Sequence, residues 1–189
     1  MLSEEDGKLL LKVARDAIKS YLKNNLVIEP PQNIPIVLKE KMGTFVTIHK
    51  KGDLRGCIGY PEPVKPLINA VIDSAISAAT GDPRFPPMGL DELDVVDLEL
   101  SVLTKPEKVE VDHPPEYVEK IKVGEDGLII EKGFNKGLLL PQVPVEWEWD
   151  AEEFLTNTCL KAGLRPDCWF DPETEVYNFQ AQIFQEKSD

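Results

Sequence analysis

The chain is poor in the residues that usually announce a metal centre or a disulfide scaffold. Three cysteines, none spaced as C-x-x-C, is an odd count for 189 residues. It argues against both a disulfide framework and a cysteine-only zinc site. Histidine occurs twice, and His113 precedes two prolines with no second ligand at useful spacing, so no metal site is expected. No stretch approaches the roughly 18 consecutive apolar residues of a membrane helix. Met1 to Asp6 is acidic where a secretory signal would be basic and then apolar, which points to a cytoplasmic protein. Also missing are a Gly-x-Ser-x-Gly elbow, a phosphate-cradling glycine loop ending in Gly-Lys and a Gly-x-Gly-x-x-Gly dinucleotide fingerprint. Internal repeats, low-complexity tracts and Ser/Gly linkers are absent too.

What remains is an ordinary globular composition, 42% hydrophobic and 29% charged with a mean hydropathy of −0.24. Proline is the excess, 16 residues or about 8% against a typical ~5%, and implies a loop-rich fold rather than a bundle. The net charge of −13 is unevenly spread, since residues 1–60 hold 10 Lys/Arg against 7 Asp/Glu and the acid lies beyond. A polyanion binder needs a basic face that releases counterions, so nucleic acid is not expected as a partner. Lys39, Lys41, Lys50, Lys51 and Arg55 cluster, but without interleaved aromatics. A small anion near this basic third stays open.

Periodicity gives the elements. Ser3 can cap a helix whose first turn holds Glu4, Glu5 and Asp6, followed by an apolar stripe from Leu9 to Leu22. Thr44–His49 and Leu54–Tyr60 read as a hairpin, and about Val64 to Thr80 as a buried helix stopped by Gly81. Val96 to Val102 alternates strictly, a strand with one wet face and an antiparallel partner. Pro114–Ile121 reads as a short helix, and Gly127–Glu131 with Gly137–Leu140 as short strands. Asp150 with Glu153 caps a helix ending at Gly163. Glu175–Gln185 is the last strand, with Tyr177, Phe179, Ala181 and Ile183 on one face. Irregular alternation of helices with hairpin-like pairs predicts an α+β fold, mainly antiparallel sheets with flanking helices, in one domain over 1–189.

The chemistry concentrates in Leu54-Arg55-Gly56-Cys57-Ile58-Gly59. Glycines flanking a Cys–Ile pair on a strand mark a bulge or the close approach of a ligand or another backbone. Burying Val46, Ile48, Leu54 and Ile58 together requires an odd-length turn, Lys51-Gly52-Asp53. That register puts Thr47, His49, Arg55 and Cys57 on the opposite face, with Phe45. Thiol, imidazole and guanidinium side by side would favour thiolate and bind anions. The plainer alternative is that Cys57 is a small core residue. Cys159, beside Phe154 and Leu155 in its helix, is read as packing, and Cys168 is left open. The second candidate is Asp82-Pro83-Arg84-Phe85-Pro86-Pro87, where three prolines hold one shape that presents Arg84 and Phe85. The alternative there is that Asp82 simply pairs with Arg84 or a helix end. The third is Leu138 to Val143 with Glu146-Trp147-Glu148-Trp149, two tryptophans that line a cleft or brace the next helix.

Leu54 to Gly59, then Asp82 to Met88, then Leu140-Pro141-Gln142-Val143, in this order and spacing, resemble the AMMECR-type domain family over nearly the whole chain. The resemblance implies an α+β fold of two intertwined lobes separated by a cleft, with the cysteine motif near it, and no established activity. It implies site positions at Arg55, Gly56, Cys57, Gly59, Asp82, Arg84 and Phe85. It also implies partners, a radical S-adenosylmethionine (radical SAM) enzyme and a Memo-type protein. Two functions are thus expected to compete. One is a binding or accessory component without a cofactor. The other is a thiol enzyme with Cys57 as nucleophile and His49 as its helper, acting on a small anionic substrate.

Overall fold

The structure, a computed structural model, describes residues 2–186. Helix α1 (Glu4–Asn24) begins where the sequence caps it. The Asp6 N–H donates to Ser3 Oγ (3.1 Å) and the Ser3 N–H donates to the Asp6 carboxylate (2.9 Å). Two orphan donors of the first turn are satisfied in this way. Strands β1 (Thr44–Lys50) and β2 (Asp53–Tyr60) form the hairpin, α2 (Leu67–Thr80) follows, and a 3-10 turn at Leu90–Val95 leads into β3 (Val96–Leu103). β1 lies between β2 and β3, antiparallel to both. Val46 and Ile48 of β1 and Leu98 and Leu100 of β3 are buried against α1 and α2 through Leu10, Ala14, Ile18, Val71 and Ala75.

Further along come β4 (Glu107–Lys108), α3 (Glu116–Lys120), β5 (Asp126–Lys132), β6 (Asn135–Leu139), α4 (Gln142–Glu146) and α5 (Ala151–Lys161). The Asp150–Glu153 capping box opens α5 as its four residues predict. Strand β7 (Glu175–Gln185) pairs antiparallel with β4 and β5, and β6 pairs with the other edge of β5. Phe154, Leu155, Leu128, Ile130, Val176 and Trp169 make a second core. The chain therefore divides into two compact units, one from the N-terminus to Leu103 plus the segment from Gln182, the other Thr104–Ala181. Each has helices and antiparallel strands, and the fold is α+β. Among the described residues no helix is long and apolar enough to cross a membrane.

Two expectations are corrected, and one is refined. The hairpin turn is two residues, Lys51-Gly52, both at positive φ (55° and 87°), and not three. A bulge at Arg55 restores the register, so Val46 still opposes Ile58 and Thr47 opposes Cys57, while Leu54 opposes His49 and is 41% exposed, outside the core. In β7 the face shared by Tyr177, Phe179, Ala181 and Ile183 is not the one that fills the cores. Phe179 packs over Gly127, Ile183 is exposed, and Val176 and Phe184, of the other parity, enter the two cores. Finally, Cys159 and Cys168 form a disulfide with Cα atoms 5.9 Å apart, tying α5 to the 3-10 turn Cys168–Phe170. Cys159 is thus more than packing, and the odd count conceals one bridge and one free thiol, Cys57.

Candidate functional site

β2 is an edge strand, and in its non-hydrogen-bonded pairing with Thr47 the peptide groups of Cys57 point away from β1. The loop after α2 takes them. The Cys57 N–H donates to Asp82 Oδ2 (2.9 Å), and Arg84 Nη2 donates to the Cys57 carbonyl (3.3 Å). Asp82 is 4% exposed and also accepts from the Arg84 N–H (3.0 Å), Nε (3.0 Å) and Nη2 (2.7 Å). Arg84 beside it holds this carboxyl well below the usual carboxylate range, overcoming the burial that would raise it. Met88, buried, anchors the far end of the loop by donating its N–H to the Ala79 carbonyl (2.8 Å). The loop thus closes the edge of the sheet and holds out Arg84, whose side chain is 54% exposed, with half-buried Phe85 beside it.

Both glycines are explained by neighbours within the chain. A Cβ on Gly56 would sit 2.2 Å from the Ala78 carbonyl oxygen, so only glycine lets α2 lie against the strand. A Cβ on Gly59 would meet the Thr44 carbonyl at 2.1 Å and the Phe45 ring at 2.6 Å, which covers Gly59 from across the ladder. Of the sequence alternatives, close approach of another backbone therefore holds at Gly56.

Arg55 leaves the face it was expected to share with Cys57. From the bulge its guanidinium, 13% exposed, grips Glu92 through two hydrogen bonds (3.0 and 3.1 Å). Lys50 joins at 2.7 Å, and Arg55 and Lys50 pull the Glu92 carboxyl down to about 2. Phe85 lies 6.0 Å from the Arg55 guanidinium carbon and 5.6 Å from that of Arg84.

Cys57, Thr47 and His49 do share a face, together with Glu99 and Asp97 across the ladder on β3. The Cys57 thiol is half-buried and accepts from the Thr47 hydroxyl (3.2 Å). Burial pushes the thiol up; the Thr47 hydrogen bond and Arg84 pull the other way but do not win. The expectation of a stabilised thiolate is therefore reversed. His49 Nε2 is 3.8 Å from Glu99, too long for a hydrogen bond, and has no hydrogen-bond partner among the described residues. The two acids from β3 give this face a poor field for an anion. Glu92 and Glu99 were not singled out in the sequence. Glu99 was legible on the wet side of an alternating strand, whereas Glu92 carries no local signal. Among the described residues no three His, Cys, Asp or Glu side chains are placed to hold a metal ion.

A family model described as AMMECR1 matches residues 11–184. The chain belongs to the AMMECR1 family. It is 61% identical over 185 residues to a protein of Methanothermobacter thermautotrophicus, covering 98% of this chain and 96% of that one. It is 56% identical to Protein TK0174 of Thermococcus kodakarensis, covering 98% and 93%. The crystal structure of the uncharacterized protein PH0010 from Pyrococcus horikoshii, 55% identical, superposes with a TM-score of 0.87 over 98% of this chain and 94% of that one. This AMMECR1-family fold is therefore shared by a solved relative.

Proposed function

We propose that this AMMECR1-family protein is a non-catalytic binding or accessory component whose recognition element is the Asp82–Phe85 loop. The observation that carries the reading is the clamp. A buried carboxylate spends its acceptors on Arg84 and on the Cys57 N–H, so Arg84 and Phe85 stand in one conformation before any partner arrives. Pre-ordering of this kind removes part of the entropy lost on association. A charged fork beside an aromatic ring is the residue chemistry of protein-interface hot spots. The partners to test are those the family resemblance implies, a Memo-type protein and a radical SAM enzyme; the acidic charge argues against nucleic acid. The compartment we assign is the cytoplasm; the Cys159–Cys168 bridge then belongs with the intracellular disulfides known mainly from hyperthermophiles.

Calorimetric titration of the purified chain against each partner tests this. Phe85→Ala and Arg84→Lys are expected to weaken a complex about tenfold each, as interface hot spots do. No complex with either partner, or two variants that bind like the parent, would overturn it.

A second reading keeps Cys57 as a nucleophile with His49 on the same face, acting on a small anionic substrate. The half-exposed thiol favours it; its raised pKa and the β3 acids oppose it. Turnover of a metabolite that vanishes in Cys57→Ser would install this reading in place of the first.

A further inference from the structure

The two tryptophans that follow α4 have different fates. Trp149 packs against the second core and so braces the fold. Trp147 is 67% exposed and lies on Trp149, the rings inclined by only 18° with centroids 6.1 Å apart. One ring is thus supported by the other while much of it meets solvent. Val145, 57% exposed, extends the surface and packs over Gly124, where a Cβ would meet its Cγ2 at 3.3 Å. Val123, next to that glycine, is 38% exposed. Apolar residues exposed singly need no explanation, but a contiguous aromatic and aliphatic shelf marks an interaction surface.

The backbone fixes this shelf in advance. The Trp149 N–H donates to the Pro144 carbonyl (2.8 Å) and the Glu148 N–H to that of Val145 (3.3 Å), the pair of bonds that closes a helix whose next residue is left-handed. Glu148 is that residue, at φ 54°. Glycine is usual there, because a Cβ is strained at positive φ. A glutamate in its place keeps a carboxylate next to Trp147 at some cost to the fold.

Charge decides what the shelf fits. From Gly137 to Leu160 the chain has Glu146, Glu148, Asp150, Glu152 and Glu153 and no Lys, Arg or His. Asp150 and Glu153 are used in the α5 capping box, whereas Glu146, Glu148 and Glu152 are exposed and carry no ion pair among the described residues. Acids on both sides of an exposed indole repel an anionic surface and favour a cationic one. Pairing of this face with itself in a two-fold dimer would set like charges together. Indole is the ring a cation covers best, and tryptophan with arginine anchors protein interfaces.

We infer that the Val145–Trp149 shelf docks a basic segment of a partner protein. An arginine side chain covers Trp147, its charge is answered by Glu146 and Glu148, and an apolar neighbour lies on Val145. The surface lies within the second unit and owes nothing to the Asp82–Phe85 loop.

Calorimetric titration of the full chain with the capped peptide Ala-Leu-Arg-Leu-Arg-Ala, and with its analogue carrying citrulline for arginine, tests it. The arginine peptide should saturate one site per chain, and the analogue, alike in shape but uncharged, should bind about tenfold more weakly. Trp147→Phe should weaken the arginine peptide about threefold and Trp147→Ala about tenfold, with the circular dichroism unchanged. Glu146→Gln with Glu148→Gln should weaken it about fivefold and flatten its salt dependence. Glu148→Gly separates binding from folding, since it should bind about threefold more weakly while its Tm does not fall. Phe134→Ser, at the fully exposed tip of the β5–β6 hairpin and away from the end that leads into α4, should change nothing. No saturable binding, equal binding of the citrulline peptide, Trp147→Ala binding like the parent, or equal weakening by Phe134→Ser would overturn the site. So would sedimentation in which the parent self-associates and Trp147→Ala does not, which gives the face to a second copy.

Discussion

Removing the Asp82 carboxylate should cost the first unit substantial stability. Asp82→Ala deletes four hydrogen bonds, one from the Cys57 N–H and three from Arg84. Hydrogen bonds to a charged group contribute about 1.5–3 kcal/mol each when buried, but the Arg84 guanidinium is half exposed and recovers water. Only the Cys57 N–H and the Arg84 N–H lose partners near the protein surface's inner side, so the net expectation is about 3 kcal/mol. For a chain of this size that lowers Tm by roughly 6–12 °C. The pH dependence has a definite sign. Asp82 and Glu92 both have folded-state carboxyls below their ordinary values, so their stabilisation is complete above the usual carboxylate range and is lost as pH falls from there through their lowered folded-state values. For Glu92 the window runs from about 4.5 down to about 2. Urea unfolding followed by circular dichroism at pH 7 and at stepped lower pH reads both effects. The parent should lose stability more steeply with acid than Asp82→Asn, whose amide does not titrate. A variant within about 0.5 kcal/mol of the parent at pH 7, the scatter of a neutral surface change, would refute the clamp. So would a parent curve as flat in acid as the variant's.

Three other outcomes follow from the same geometry. Cys57 should alkylate more slowly than a free thiol at pH 7, with its rate inflecting above the ordinary cysteine range; an inflection below it would restore the thiolate. Unfolded without reductant, the chain should titrate one thiol, and three after reduction. Cys159→Ala with Cys168→Ala should lose about 2.5–3 kcal/mol, from opening a loop whose ends are nine residues apart; three thiols before reduction would disprove the bridge. Gly56→Ala should destabilise by about 2–4 kcal/mol, because its Cβ meets the Ala78 carbonyl at 2.2 Å and a backbone must move; a neutral Gly56→Ala, measured by denaturant midpoint, would mean α2 can retreat.

Where structure is written in neighbouring residues the sequence was readable. Ser3 with Asp6, and Asp150 with Glu153, carry their helix starts within four residues, and both starts stand where expected. The Cys159–Cys168 bridge was not readable from the count of cysteines, because parity says only that one thiol must be left over, and Cys57 is that one. Nor was the salt bridge from Arg55 to Glu92, 37 residues on, which depends on where a 3-10 turn docks.

The hairpin shows why a correct register can still misplace a site residue. An odd turn of three residues and an even turn of two followed by a one-residue bulge shift the ladder by the same amount. Both therefore set Val46 against Ile58 and Thr47 against Cys57, and the apolar pattern cannot choose between them. They differ only in the residues between turn and bulge. An odd turn would send Leu54 to the core and Arg55 to the Cys57 face; the bulge sends Leu54 outward beside His49 and frees Arg55 for Glu92. Chain conformation favours the second. Lys51 and Gly52 both take positive φ, the geometry whose twist matches a two-residue hairpin, with glycine carrying the larger angle. The consequence reaches the chemistry. With Arg55 committed to Glu92, the cation left to act on the Cys57 thiol is Arg84, itself bound to Asp82, and burial decides the thiol's protonation. A single extra residue in one strand thus turns a face that looked like a nucleophile with its activators into one built to hold a loop still.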